Sequence, residues 1–237
     1  DESLWRKVVY GLNRGGRYQN FDKAYKGAQV ANKYGRLINL YQEKTATSIN
    51  TMTGKPFVGF TKYIPAGLSS TGKEIKSDGY DLQLITFKTM TMAKARGISN
   101  YWTLAAVPEG YLLINSQDAK ILGVKDGDMV RISSSSNPEG VYDLQNGKKH
   151  PIEGKAKVTE GIRPGVVAFP LGFGHWASGA ADIEIDGALI KGDPRRAVPL
   201  MANGAMQLDP VMGNVTLSDL VGGSAVFYDS MVKVEKV

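Results

Sequence analysis

The sequence predicts a mainly β chain with short helices, closed or nearly closed into a barrel, behind a lead-in of about eighty residues that is helical and irregular. Three observations carry this. From residue 80 onward, apolar runs of strand length recur with Gly, Asp, Asn or Pro between them. Helix signals are few there, the clearest being the short stretch "SQDAKIL" before Gly123. No long helices alternate with the strands, which argues against a doubly wound parallel sheet.

In chain order, "KAYKGAQVANKYGRLINLYQEK" spaces Tyr25, Val30, Tyr34, Leu37, Ile38 and Tyr41 near helical periodicity, predicting an amphipathic or broken helix interrupted by Gly27 and Gly35. From Thr45 to Asp78 the chain turns to Gly, Pro, Ser and Thr, which is loop chemistry. So long a loop suits a wrapping or linking segment better than a free surface loop. The strands follow: "YDLQLITFK", "YLLINS", "MVRISSS", "IEGKAKVTE", "GVVAFPLGF" and "AVFYDSMVKVEKV". Between the first two, "TMTMAKARGISNYWTLAAVPEG" reads as a polar, basic, Gly-broken loop. Ser116 is expected to cap the short helix through Leu122, with Gly123 supplying the left-handed residue that ends it. The turn "VKDGD" then reverses the chain. The expected organisation is a lead-in over 1–79 and a barrel over 80–237.

Composition narrows the chemistry. There is no cysteine among the 237 residues, which excludes disulfides, thiolate metal sites, iron–sulfur ligation and a cysteine nucleophile within this chain. Two histidines, His150 and His175, are too few for a self-contained zinc site. His150, in "NGKKHP", reads as an exposed loop residue. No run of eighteen apolar residues and no signal-peptide pattern is present, and the chain does not start with Met, so it reads as a processed product or part of a longer polypeptide. The net charge of +6 arises near the start: residues 1–90 hold fourteen Lys/Arg against seven Asp/Glu, and residues 91–237 hold fifteen against sixteen. These cations are scattered and no basic helix or RNA-binding aromatic motif accompanies them, so the expected partners are anions or an acidic neighbour and not nucleic acid.

Familiar small motifs fail on inspection. "GFGHWASG" has no following helix and distal acid of a dinucleotide fingerprint. "SSSSNPEG" lacks the lysine of a P-loop and reads as a strand end running into a hairpin tip. The "DGD" at 126–128 supplies too few oxygens for calcium and serves a turn.

One larger pattern remains. "INSQDAKILGVKDGDMVRISS" resembles the helix, turn and strand unit of the C-terminal cofactor-binding domain of the DMSO-reductase superfamily. "LQLITFK" before it, "VTEGIRPGVVAFPLGFGHW" after it and "LDPVMGN…VGGSAVFYDSMVKVEKV" at the end follow in the same order. The tail "DPVMGNVTLSDLVGGSAVFYDSMVKVEK", with "LNRGGRY" and "YGRLINLYQEK", resembles the tetrathionate-reductase and arsenate-reductase branch. The resemblance implies a double-psi β-barrel that helps to hold a bis-molybdopterin guanine dinucleotide cofactor with Mo or W. It also implies a [4Fe–4S] cluster in a catalytic-subunit region that this chain does not contain. Implied partners are the remainder of the catalytic subunit, an iron–sulfur electron-transfer subunit, a membrane-anchor subunit, and a small oxyanion substrate of sulfur or arsenic. The implied location is the periplasmic or extracytoplasmic face of a membrane. As such a portion, the chain alone is expected to be inactive.

A dinucleotide cofactor offers phosphates and polar heterocycle edges, so its holders are hydroxyls, amides, cations and backbone N–H groups. The loop after the first barrel strand presents Thr86, Lys88, Thr89, Thr91, Lys94, Arg96, Ser99 and Asn100. By resemblance Thr86 and Lys88 begin a pterin- and phosphate-contacting loop, although Phe87 stands where many relatives have Gly. "GFGHW" adds His175 and Trp176; "MANGAMQLDPVMGN" adds Asn203 and Asn214; "VFYDS" adds Tyr228 and Asp229. No residue is expected to be catalytic in itself or to bind metal. The alternative reading is a non-redox barrel module that binds a partner or peptide, which would have no need of the polar loop at 86–100.

Overall fold

The computed structural model describes Leu4, Tyr25, Lys26, Gln29, Val30 and residues 41–237, excepting Ala95, Asn146, Lys148, 176–178 and 198–200. The chain divides into two compact units, Asp1–Leu40 and Tyr41–Val237.

In the first unit, Tyr25–Lys26 pairs antiparallel with Gln29–Val30, Tyr25 opposite Val30. The helix expected from Lys23 onward is therefore not formed across these residues. Antiparallel pairing stands at these four residues in place of the helical period. The rest of that expectation, over 31–40, lies outside the described residues.

The second unit is built on six strands: β1 (Leu82–Phe87), β2 (Leu112–Asn115), β3 (Met129–Ser134), β4 (Glu153–Thr159), β5 (Val166–Pro170) and β6 (Ser230–Lys236). They form a closed barrel in the order β4-β2-β5-β1-β6-β3, with β3 and β4 completing the ring. β4 with β2 and β5 with β1 are parallel, and the remaining pairs are antiparallel. Closure leaves no unpaired edge, which suits a chain with so many short strands.

Alternation selects the buried face in β1, with burial at every second residue, while β5 is buried at four successive positions. Leu82 and Leu84 of β1, Leu112 and Ile114 of β2, Val130 and Ile132 of β3, Ala156 of β4, Val167 and Phe169 of β5, and Val232 and Val234 of β6 form one core. At roughly 25 cal/mol per Å² of apolar surface removed from water, this packing is the main stabilising term. Thr86 occupies a buried position of the same β1 alternation, so a hydroxyl enters where the pattern calls for carbon.

Helix α1 (Tyr101–Ala106) follows β1 through a short 3₁₀ turn, Arg96–Ser99, and helix α2 (Ser116–Leu122) follows β2. α1 replaces the loop expected there: the Asn100 side chain accepts from Trp102 N at 3.0 Å and starts the helix despite its polar, Gly-broken surroundings. α2 is capped by Asn115, not by Ser116, its carboxamide oxygen accepting from Gln117 N at 2.8 Å. Both residue types are strong caps, and Asn115 prevails because its Nδ2 also donates to Ile162 O at 2.7 Å, tying the helix start to the loop before β5. Gly123 ends α2 at φ 67°, the left-handed geometry expected of it. In the following turn Asp128 Oδ2 accepts from Lys125 N, and Asp126 Oδ1 accepts from Val158 N of β4. The acidic turn is thus fully used in structure.

The serine run is also structural. Ser135 Oγ donates to Gln207 Oε1, while Ser136 Oγ accepts from Gln207 Nε2 and Leu208 N. His150 is half-buried on the strand Lys149–Pro151, which pairs with Val141–Asp143, and not on an exposed loop. The segment before β1 packs inside the second unit: the buried Asp209 carboxylate accepts from Ser70 N at 2.7 Å, and Ser218 N donates to Ser70 Oγ. Among the described residues no helix is long and apolar enough to cross a membrane.

Candidate functional site

β1 and β5 run parallel, with Thr86 opposite Phe169 and Phe87 opposite Pro170, so both strands end at one end of the barrel. β6 runs antiparallel to β1, with Ser230 opposite Leu84, so the segment entering β6 arrives at that same end. The long connection between β5 and β6 also returns there, through the 3₁₀ turn Ala202–Ala205. A cavity of about 280 Å³ opens among these pieces. Thr86, Lys94, His175, Asn203 and Tyr228 supply its polar groups, and Leu171, Phe173, Met201 and Phe227 supply apolar wall.

The loop after β1 comes to the rim because Gly172 lets it. At Gly172 φ is 101°, and a Cβ there would stand 2.7 Å from Ala93 O. A side chain would therefore be both strained and obstructed, pushing away the chain that carries Lys94. Met92, fully buried, anchors that loop from below, and its N–H donates to Thr89 Oγ1 at 3.1 Å.

Within the cavity Thr86 is 3% exposed, and its Oγ1 is buried without a hydrogen-bond partner among the described residues. A buried hydroxyl with no partner costs about 1–3 kcal/mol, so proteins rarely retain one unless something completes it. Lys94 brings an exposed ammonium to the rim, and Asn203 an exposed carboxamide. The donor set is one hydroxyl awaiting a partner, a cation, an imidazole, an amide and a phenol, around a wall that a flat ring can contact.

Against the residues expected from sequence, the structure gathers Thr86, Lys94, His175, Asn203 and Tyr228 into one cavity. Asp229 lines a neighbouring hollow of about 420 Å³ that shares Phe227 and Tyr228 with the first. Burial pushes the Asp229 carboxyl above its ordinary range. Lys88, Thr89, Thr91 and Ser99 do not line either hollow, and Asn100 is engaged in capping α1. Asn214 is an exposed turn residue at φ 60°, a conformation asparagine tolerates. Trp176 and the Arg96 side chain lie outside the described residues. Met201 and Phe227, which the sequence does not single out, stand at the cavity wall, while Phe173 beside them belongs to the buried core. Among the described residues no group of three His, Asp or Glu could hold a metal ion.

The fold is a closed barrel with a cavity of mixed polar and apolar lining at one end, bordered by the long connection between β5 and β6. Residues 82–195 match the family of molydopterin dinucleotide binding domains, and this part of the chain belongs to that family, within the DMSO-reductase superfamily.

The chain is 42% identical over 234 residues to a selenate reductase subunit of Mesobacillus selenatarsenatis, covering 98% of this chain and 22% of that protein. It is 27% identical over 236 residues to a tetrathionate reductase subunit of Salmonella typhimurium, again covering 98% and 22%. The chain thus spans about a fifth of the length of these curated relatives. A solved acetylene hydratase from Pelobacter acetylenicus superposes with a TM-score of 0.38 at 18% identity, over 67% of this chain and 18% of its own.

Proposed function

We propose that this chain is the cofactor-cradling part of a molybdenum or tungsten oxidoreductase that reduces an oxyanion of sulfur, selenium or arsenic by two electrons. In this reading the barrel is of the double-psi type, a form its mixture of two parallel and four antiparallel strand pairs suits. The domain family supports a molybdopterin cofactor. The names of the relatives support oxyanion reduction, and selenate joins the range because of the 42% identity.

The observation that carries the reading is the buried Thr86 Oγ1, without a hydrogen-bond partner among the described residues, on a residue that borders the cavity. The residues present fit such a cofactor. Thr86 and Asn203 can bond the polar edge of a pterin, Lys94 can neutralise a phosphate, and Phe173, Met201 and Phe227 can exclude water from a ring face. When bound, the cofactor supplies the two-electron chemistry at its metal, and the protein supplies binding, orientation and electrostatics. None of the cavity residues needs to exchange a proton with substrate for this role. Electrons would pass through a [4Fe–4S] cluster in the rest of the catalytic subunit to an iron–sulfur partner and a membrane anchor, on the extracytoplasmic side. Residues 1–79 would then belong to the preceding domain of that subunit, although 41–79 pack in one compact unit with the barrel.

The test is cofactor content. Lys94→Ala in the intact subunit is expected to lower pterin and molybdenum or tungsten per polypeptide without changing the stability of the cofactor-free chain, because its side chain is exposed. Unchanged content in Lys94→Ala, Thr86→Val and Asn203→Ala together would refute the assignment.

A further inference from the structure

Outside the barrel, the strand Val141–Asp143 carries Tyr142 against the segment that roofs the cavity. The Tyr142 hydroxyl donates to Met201 O and accepts from Gly204 N–H. These two partners flank Ala202 and Asn203, and Met201, Ala202 and Asn203 all line the cavity. The ring itself fills the space a Gly204 side chain would need: a Cβ there would stand 2.5 Å from Tyr142 Cζ and 2.8 Å from Ile152 Cδ1. Asn137 strengthens the same junction, its Nδ2 donating to Val141 O at 2.8 Å and to Gly204 O at 2.9 Å. Ala202 and Ala205 are buried on the core, so the backbone of the turn is held from below by packing and from the side by one phenol.

We infer that Tyr142 is a positioning residue for the cofactor site: its hydroxyl fixes the turn that presents Asn203 to the cavity. This rests on the cofactor reading of that cavity. A Phe at 142 would fill the same volume yet leave Met201 O and Gly204 N–H without this partner, so the turn could rotate while the core stayed packed. A hydroxyl that served only packing would need no polar partners on both sides of a cavity residue. Burial also raises the phenol well above its ordinary range, so it stays protonated and able to donate at any working pH.

The experiment is a double-mutant cycle in the intact subunit, comparing Tyr142→Phe, Asn203→Ala and the double variant, with pterin and metal measured per folded chain. Asn203→Ala is expected to lower retention about tenfold, Tyr142→Phe to lower it by about threefold or more, and the double variant to retain as much as Asn203→Ala alone. Amide hydrogen exchange in Tyr142→Phe is expected to quicken over 201–205 and not in the barrel strands, a reading available even where the yield of loaded protein is low. Wild-type retention in Tyr142→Phe beside a loss in Asn203→Ala overturns the positioning role and leaves the cavity reading standing. Independent, multiplicative losses in the double variant overturn it too. Full retention in Asn203→Ala instead removes Asn203 from the cofactor's holders and overturns the positioning role, while the cavity reading then stands or falls with Lys94→Ala and Thr86→Val.

Discussion

Replacing Thr86 by Val separates a hydroxyl kept for a ligand from one kept for the fold. The two side chains have the same branched shape and the same preference for strand, so β1 and its pairing to Phe169 of β5 should persist. What changes is one buried oxygen that has no partner among the described residues. An unsatisfied buried hydroxyl costs about 1–3 kcal/mol, so the cofactor-free chain should gain about 1–2 kcal/mol on losing it. For a unit of this size that raises the melting temperature by roughly 2–4 °C per kcal/mol. The intact subunit should move the other way, retaining less cofactor because a hydrogen bond to the ligand is lost. Urea or thermal unfolding of the free chain, with pterin content of the subunit, reads both signs. A loss of about 1 kcal/mol or more in the free chain would show that the hydroxyl is satisfied within the protein, and the reasoning from its orphaned state would fall.

The Asp209 carboxylate is buried and accepts from Ser70, Val211 and Met212 amides. Burial alone would raise it, but these donors outweigh burial and hold it below the ordinary value of 3.8. Its stabilising contribution is therefore complete above that value and lost as pH falls through its lower folded value; Asp209→Asn should cost about 2–4 kcal/mol near neutrality and flatten this part of the acid-unfolding curve. Gly204→Ala should cost about 1–3 kcal/mol in urea unfolding, since its Cβ would collide with the Tyr142 ring and Ile152. Gly123→Ala meets nothing within 4 Å, so its expected cost of about 1 kcal/mol is backbone strain alone, and Gly123→Asn should cost less.

How much of this the sequence discloses depends on the range of the forces involved. The six barrel strands were legible as short stretches between turn residues; in β1 the alternation of "LQLITF" matches its burial, whereas β5 is buried at four successive positions. Helix α1 was not, because its start rests on a single Asn100 cap amid Gly and polar residues, and α2 was misread by one residue because Asn115 and Ser116 are equally good caps locally. Only the distant carbonyl of Ile162 decides between them. The helix expected from Lys23 was contradicted at Tyr25–Lys26 and Gln29–Val30, where antiparallel pairing replaced the apolar period.

Within the site, the polar members announced themselves by resemblance and residue type. Closure of the barrel is what brings Thr86 and Tyr228 together across more than a hundred residues of chain. Met201 and Phe227 carried no local signal, since an apolar side chain at a cavity wall and one in a core are spelled alike. Tyr142 was equally silent. Its importance lies in two backbone groups some sixty residues away.

The most direct measurement is a structure of the cofactor-loaded subunit. The account predicts a cofactor oxygen or nitrogen within about 3.5 Å of Thr86 Oγ1, with Lys94 and Asn203 on the same ligand. A cofactor seated elsewhere, with the Thr86 hydroxyl still unpartnered, would contradict it.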